Sequence, residues 1–300
     1  MKDVSQSPGC ADWRLEDRAF LECFSLPGKL SSGPLKDTNP FPREGHITFV
    51  EKTHTYFADG EQIPRSVTKL LSEYAIEFDA MKALTLMRAG RNWYEKAREF
   101  EQLGLDPNSD DDILQHWSFM GKVAAARGTL LHYHAELAAN GFHVRLPHSP
   151  EFKQVLQLLQ YFVTVGWTPF RTEVNIFHSG LRCAGQPDFL CKNQEGDIVI
   201  IDWKRVPKLD LDRFDHPFRY PLQHLPSSPY WKYSLQLNLY RFVLESEYAL
   251  RVSSMWLAVV HPSLAQPRLV EVPTLSQEVQ AILDHEISNG RAIPGAARDA

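Results

Sequence analysis

Three residues near the middle of the chain carry the clearest chemistry. Asp188 follows Pro187, and Asp202 closes the apolar run DIVIID, with Trp203 and then Lys204 behind it. Side chains alternate along a strand, so Asp202 and Lys204 share one face while Trp203 points to the other. Pro187 cannot donate to a β-ladder, so a bend is expected there, and it can turn Asp188 toward Asp202. Two carboxylates converging at a strand end make a hard, oxygen-rich site suited to Mg²⁺ or Mn²⁺. A lysine two residues on can hold an attacking water and neutralise a phosphorane-like transition state. These are the tools of phosphodiester hydrolysis. The same spacing also makes a plain ion pair between Asp202 and Lys204.

The elements that must position this group follow from periodicity. PFRTEVNIFHSGLRCAGQPDFLCKNQEGDIVIIDWKR reads as three strands joined by tight turns at Ser179-Gly180 and at Asn193 to Gly196. A helix over about 150–165 precedes them, with Phe152, Val155, Leu158, Leu159 and Phe162 on one stripe. A Pro- and His-containing loop at 206–229 follows, then a strong helix, PYWKYSLQLNLYRFVLESEY. Strands near 252–260 and 269–272 and a helix near 276–288 finish the chain. Upstream, ITFVEKTHTYFADGEQI from Ile47 turns at Asp59-Gly60 as a β-hairpin, and Ser66 can cap the next helix. Residues 78–141 read as mostly helical, broken near Gly90 and at LGLDPNSDDD, with Asn140-Gly141 as a C-cap.

Two further pairs stand at telling separations. YSLQLNLYRF puts Gln236 and Tyr240 at i, i+4 on one helical face, and RGTLLHYHAE puts Gly128 four residues before His132. The ordered set of QPD ending at Asp188, IIDWK ending at Lys204, QxxxY and GxxxH resembles the PD-(D/E)XK nuclease superfamily. Its RecB-like branch includes the lambda-exonuclease, mitochondrial-genome-maintenance and CRISPR-associated nucleases. The resemblance covers about residues 125–245 and reaches weakly to the hairpin at 47–67. It implies an α/β (α+β) fold: a restriction-endonuclease-like core, with a mixed central β-sheet flanked by helices and an N-terminal helical cap.

The resemblance also implies roles. Asp188, Asp202 and Lys204 would be catalytic. A Mg²⁺ or Mn²⁺ ion would be held by Asp188, Asp202, the backbone carbonyl of Trp203 and His132. Gln236 and Tyr240 would contact phosphate or base. The implied activity is a metal-dependent DNA nuclease, an exonuclease on single strands or ends, leaving a 5′-phosphate and a 3′-hydroxyl. The alternative is a catalytically silent nuclease-fold protein that binds nucleic acid or a partner. Some members of the branch carry an iron–sulfur cluster on four cysteines. Here no cysteine follows Cys191, so no cluster is expected.

Read from the residues alone, several positions stay open. His132 is equally a packed helix-interface histidine, and His134 lies about 200° away around the helix. Glu136, at i+4 from His132, either orients that imidazole, ligates directly or is solvated. If Ser179-Gly180 is a two-residue loop, Glu173 pairs with Gln186 and shares a face with Asp188. It could then tune the metal, or it could pair with Arg171, Arg182 or Arg205.

Composition bounds the rest. The 300 residues are 43% hydrophobic, enough for a core, which excludes wholesale disorder and collagen-like repeats. The net charge of −5 excludes a broadly basic coat protein but not a local groove. Between Ile201 and Arg241, seven Lys/Arg stand against four Asp/Glu. Arg205, Lys208, Lys232 and Arg241 are therefore candidates for a phosphate track, Arg205 and Lys232 first among them. A solvated mixed-charge loop has the same composition. Tyr220, Tyr230, Trp231 and Tyr233 can stack bases or fill a core. No apolar run approaches the ~18 residues that span a bilayer, and the N-terminus lacks a signal core, so a soluble intracellular protein is expected. The expected organisation is a flexible leader at 1–45, a hairpin and helical region at 46–146, and a nuclease core at 147–300 integrated with it.

Overall fold

The structure, a computed structural model, describes residues 12–25, 27, 30, 32–144, 149–211 and 216–293. Its α-helices begin with α1 (Asp12–Cys23), α2 (Pro34–Thr38), α3 (Val67–Tyr74), α4 (Ala80–Ala89) and α5 (Trp93–Gln102). They continue with α6 (Asp110–Ala139), α7 (Pro150–Thr164), α8 (Pro229–Glu247) and α9 (Ser276–Ser288). The strands open with β1 (Ile47–Val50), β2 (Thr55–Ala58), β3 (Glu61–Gln62), β4 (Arg65–Ser66) and β5 (Thr168–Thr172). After them come β6 (Ile176–His178), β7 (Cys183–Gly185), β8 (Phe189–Lys192), β9 (Ile198–Arg205), β10 (Val252–Val260) and β11 (Arg268–Glu271). This is the expected α+β class. Among the described residues, no helix is long and apolar enough to cross a membrane.

The chain divides into two compact units, Met1–Gly28 with Glu77–Leu130, and Lys29–Ile76 with Leu131–Ala300. In the first, Asp79 caps α4 by accepting the Lys82 N–H at 2.9 Å. Leu84, Phe100 and Ile113 are its buried core, and Arg127 pairs with Asp17 at 2.5 Å.

In the second unit a five-stranded sheet runs in the order β11-β10-β9-β8-β5. β9 and β10 are parallel, as a crossover through α8 requires, and the other pairs are antiparallel. Alternation along β9 sets two layers. Ile198 and Ile200 pack with Leu235, Leu239 and Val243 of α8. Val199, Ile201 and Trp203 pack on the other side with Val155, Leu158 and Phe162 of α7 and with Leu131 and Ala135 from the end of α6. Burying both faces explains why β9 is an unbroken apolar run up to Asp202. Asp202 and Lys204 therefore fall on the α8 face. Two small sheets, β1-β2-β3 and β4-β7-β6, complete the unit. Asp59 and Gly60, with φ of 49° and 85°, close the two-residue turn from β2 to β3. Ser66 caps α3 by accepting the Lys69 N–H at 3.1 Å.

Two expectations need correction. Order begins before Ile47: α1 and α2 both lie in the stretch read as a flexible leader, 1–45, of which residues 1–11 lie outside the described ones. Pro34 tolerates the first turn of α2 because an N–H there has no helical partner. Beyond that helix, Phe41 is buried and Asn39 accepts an Arg171 N–H at 2.9 Å through its carbonyl. Propensity registers the prolines and misses these long-range partners. The stretch from Thr168 to Arg205, read from Pro169 on as three strands, holds five, shared between two sheets. Cys183 and Cys191 are accordingly buried on separate strands, β7 and β8.

Candidate active site

The five-strand path creates a corner at which both antiparallel arms leave one sheet for the other. The β5 arm ends at Thr172 and resumes as β6 at Ile176, with Glu173 between them at a φ of 48°. The returning arm crosses from β7 to β8 through Gln186, Pro187 and Asp188. Pro187 has no N–H to extend the β7 ladder, which ends at Gly185. The loop from β6 to β7 is four residues long, since His178 pairs with Cys183. That moves the partner of Glu173 from Gln186 to Asp188, whose carbonyl accepts the Glu173 N–H at 3.0 Å. The shift is by two residues, so the shared face expected for Glu173 and Asp188 survives it. Gln186 keeps a place at the corner by donating its Nε2 to the Glu173 carbonyl at 2.6 Å.

His132 on α6 faces this corner. Its Nδ1 lies 3.4 Å from Asp188 Oδ2 and 3.9 Å from Glu173 Oε1. One ligand atom each from His132, Glu173 and Asp188 falls within 4.8 Å of the others. Asp188 Oδ2 also accepts the Trp203 backbone N–H at 2.8 Å, which locks the start of β8 against β9. The Trp203 indole is buried on the opposite face against Phe162 and Phe189.

Asp202 is buried, at 1% exposure, beside this set. Lys204 Nζ lies 2.5 Å from its Oδ2 in a close ion pair, and Asp202 Oδ1 has no hydrogen-bond donor among the described residues. Lys204 also sits 4.5 Å from the centre of the Tyr233 ring. Tyr233 is the member of this group that sequence reading left among the general aromatics. Its signal was position, three residues before Gln236 and seven before Tyr240 on α8. Gln236 Nε2 donates to the Tyr240 hydroxyl at 2.8 Å, and Tyr240 is buried. A Cβ on Gly185 would come within 2.4 Å of Tyr240 Cε1, so glycine lets the β7 backbone meet that ring.

Burial and charge act together on these groups. Burial opposes protonation of His132, but the Asp188 carboxylate, with Glu173 behind it, raises its pKa to about 9. Burial and the neighbouring Asp188 push Asp202 up to about 6, against the pull of Lys204. Asp188 is held below the usual carboxylate range: its burial is outweighed by His132, Lys204 and the Trp203 N–H. Burial works against the charge of Lys204, but Asp202 and Asp188 overcome it and raise its pKa. Burial carries the Tyr240 phenol far above its ordinary value.

The donor set of one imidazole and two carboxylates, with the Asp202–Lys204 pair beside it, fits a divalent cation. Glu173 belongs to the ligand cluster itself, while Asp202 pairs with Lys204 next to it. Glu136 is buried and lines a cavity that Glu173 also lines; it is outside the ligand cluster. His134 is a packed histidine, edge-on to Phe152 with ring centres 5.9 Å apart, and burial lowers its pKa. A Cβ at Gly128 would meet open space, so packing does not demand glycine there.

The structure does not bring Arg205 to the site. It follows Trp203 onto the α7 face, where its Nε binds Glu151 at 3.0 Å and its side chain is 8% exposed. Alternation explains this, since 203 and 205 share a parity opposite to 202 and 204. Much of the local positive balance is likewise spent in pairs. Lys208 binds Asp210 at 3.0 Å and Arg241 binds Glu245 at 3.1 Å. Lys232 is half-buried on α8, four residues before Gln236 on the same stripe.

No family model matches the chain, and no curated protein does. Among solved structures, the chain is similar to a candidate exonuclease from Eubacterium rectale, with 13% identity over 59% of this chain and 75% of that one, at a TM-score of 0.34. It is also similar to the solved protein SSO0001, with 15% identity over 74% and 83% of the two chains, at a TM-score of 0.28. Likenesses this distant carry no argument about activity.

Proposed function

We propose that the chain is a divalent-metal-dependent nuclease of the PD-(D/E)XK type, in its RecB-like branch, that hydrolyses DNA phosphodiesters. The observation that carries this reading is the cluster of His132, Glu173 and Asp188 beside the Asp202–Lys204 pair. His132, Glu173, Asp188, Asp202 and the Trp203 carbonyl are the groups that would hold Mg²⁺ or Mn²⁺. The ion, when bound, supplies Lewis-acid activation and charge neutralisation at phosphate.

The remaining roles belong to the chain. Lys204, kept protonated by two carboxylates, balances negative charge growing on the non-bridging oxygens and orients the attacking water through its N–H groups. Tyr233 limits the swing of that ammonium by lying against it. Gln236 and Tyr240, joined to each other, present polar groups from α8 toward the strand ends that carry the acids. The products would carry a 5′-phosphate and a 3′-hydroxyl, with single strands or ends as substrate.

The test is cleavage of end-labelled single- and double-stranded DNA in Mg²⁺, Mn²⁺ or EDTA. Lys204→Ala is expected to slow cleavage about 100-fold or more, as loss of a transition-state charge partner does. Asp188→Asn is expected to abolish it. Cleavage that persists in EDTA or in Asp188→Asn overturns the reading. Salt-sensitive DNA binding without cleavage points instead to a silent nuclease-fold binder.

A further inference from the structure

Glu173 is the member of the metal-ligand cluster whose backbone is left-handed, at a φ of 48°. That conformation crowds the Cβ of any residue but glycine, and glutamate lacks the short side chain with which Asn and Asp bond their own backbone there. A second force acts in the same direction. Before a cation binds, the Glu173 and Asp188 carboxylates face one corner and repel each other. Relaxing Glu173 to an ordinary φ would relieve both forces and turn its side chain away from His132 and Asp188. Strain of this kind persists only where neighbouring groups over-determine the backbone.

Two groups do so here, and they flank Pro187. Asp188 accepts the Glu173 N–H through its carbonyl at 3.0 Å. The Glu173 carbonyl accepts Gln186 Nε2 at 2.6 Å, a side-chain donor where a regular antiparallel pair uses the N–H of the residue opposite. Glu173 is thus held at both of its backbone polar groups. The Gln186 amide stands on a firm base. Gly185 before it pairs with Ile176 at the end of β7, and the ring of Pro187 after it fixes φ. Gln186 is half-buried, so its amide bonds in partial shelter from water.

We propose that Gln186 is a positioning residue of the metal centre: its side-chain amide holds Glu173 in the left-handed turn that presents the Glu173 carboxylate to the cation. The proposal rests on the metal-dependent reading of this site and deepens it by naming what keeps that ligand in place. In this role Gln186 touches neither the cation nor the scissile phosphate, so its effect passes through Glu173 alone.

The test is calorimetric titration of the full chain with Mn²⁺, beside melting in EDTA. Gln186→Met, matched in length but without a donor, is expected to raise the Mn²⁺ Kd about tenfold, as loss of a group that orients a ligand does. In a Glu173→Gln background the same change is expected to leave Kd where Glu173→Gln alone puts it, which a general loosening of the fold would not do. Gln186→Asn, whose amide falls short of the carbonyl, is expected to behave as Gln186→Met does, and carries the titration if that variant does not fold. In EDTA, Glu173→Gly should melt above Glu173→Ala, since glycine takes a positive φ without strain. Equal Kd in Gln186→Met and the parent would overturn the role. So would a loss that persists in the Glu173→Gln background, or a Glu173→Gly chain that melts below Glu173→Ala. In each of those cases a parent that binds Mn²⁺ and cuts DNA leaves the nuclease reading standing. A parent that binds no Mn²⁺ removes both.

Discussion

Glu173 and Asp188 are direct cross-strand partners, joined by the Glu173 N–H and the Asp188 carbonyl at 3.0 Å, at the corner where two antiparallel arms change sheets. Their backbone pairing delivers both carboxylates to His132, so Glu173 is predicted to be a metal ligand and not a peripheral acid. Glu173→Gln preserves the corner and removes one charge. Calorimetric titration with Mn²⁺ should show affinity falling about 10- to 100-fold, the loss typical of a residue that ligates or orients a ligand. Unchanged affinity would place Glu173 outside the centre.

The protons on this centre give a second prediction. His132 titrates near 9 in the folded chain against an ordinary value of about 6.5. A raised pKa means that the folded state binds more protons, so the stabilisation is complete below about pH 6.5 and fades as pH rises toward 9. Asp202, raised to about 6, acts in the same sense at lower pH, its contribution fading between about 4 and 6. A cation must displace the His132 proton, so its own stabilising effect grows over the window in which the proton's is lost. Melting temperatures in EDTA should therefore decline from pH 6.5 to 9, while the increment from added Mg²⁺ increases. His132→Gln should flatten both trends. A Mg²⁺ increment that stays constant across this range would contradict the assignment of His132.

Gly185 and Tyr240 supply a third. A methyl group on Gly185 would overlap the Tyr240 ring, and neither the strand nor the buried helix can yield easily. Gly185→Ala should cost ~1–3 kcal/mol in denaturant unfolding, as overpacking does. It should also lower cleavage by displacing the Gln236–Tyr240 pair. Tyr240→Phe keeps the ring and loses the hydroxyl that Gln236 bonds, so it isolates the polar contribution. If Gly185→Ala unfolds at the parent's denaturant midpoint, the contact is not tight in solution.

How much of this was legible in the sequence depends on range. The DIVIID run, the Asp202–Lys204 parity, the Ser66 cap and the Asp59-Gly60 turn are local, and their positions follow from period and turn chemistry. The meeting of His132 with Asp188 was reached through motif order, since nothing local joins residue 132 to residue 188. Glu173 was placed on the right face but opposite the wrong residue, because the β6–β7 loop takes four residues and not two. Tyr233 and the packing of 34–46 were hidden because each depends on a distant partner, Lys204 for one and Arg171 for the other. Arg205 shows the opposite failure. Local charge counting made it a candidate, while the alternation already applied to Asp202 and Lys204 put it on the other face.

That last contrast yields a prediction about DNA contact. Arg205 is paired with Glu151 on the α7 face, whereas Lys232 lies on the α8 stripe of Gln236 and Tyr240. A lysine that contacts phosphate releases condensed counterions, so removing it lowers the slope of log K against log salt by about one. Lys232→Gln should show that reduction in binding titrations over a salt series, with little change in melting temperature. Arg205→Gln leaves the half-buried Glu151 without its ion-pair partner and should lower the melting temperature while leaving the salt slope unaltered. The reverse pattern, a slope change for Arg205 and a melting change for Lys232, would mean that DNA runs over the α7 face. The acids and the lysine of the candidate site would then lie on the far side of the sheet from the strand, and the assignment of the site itself would fail.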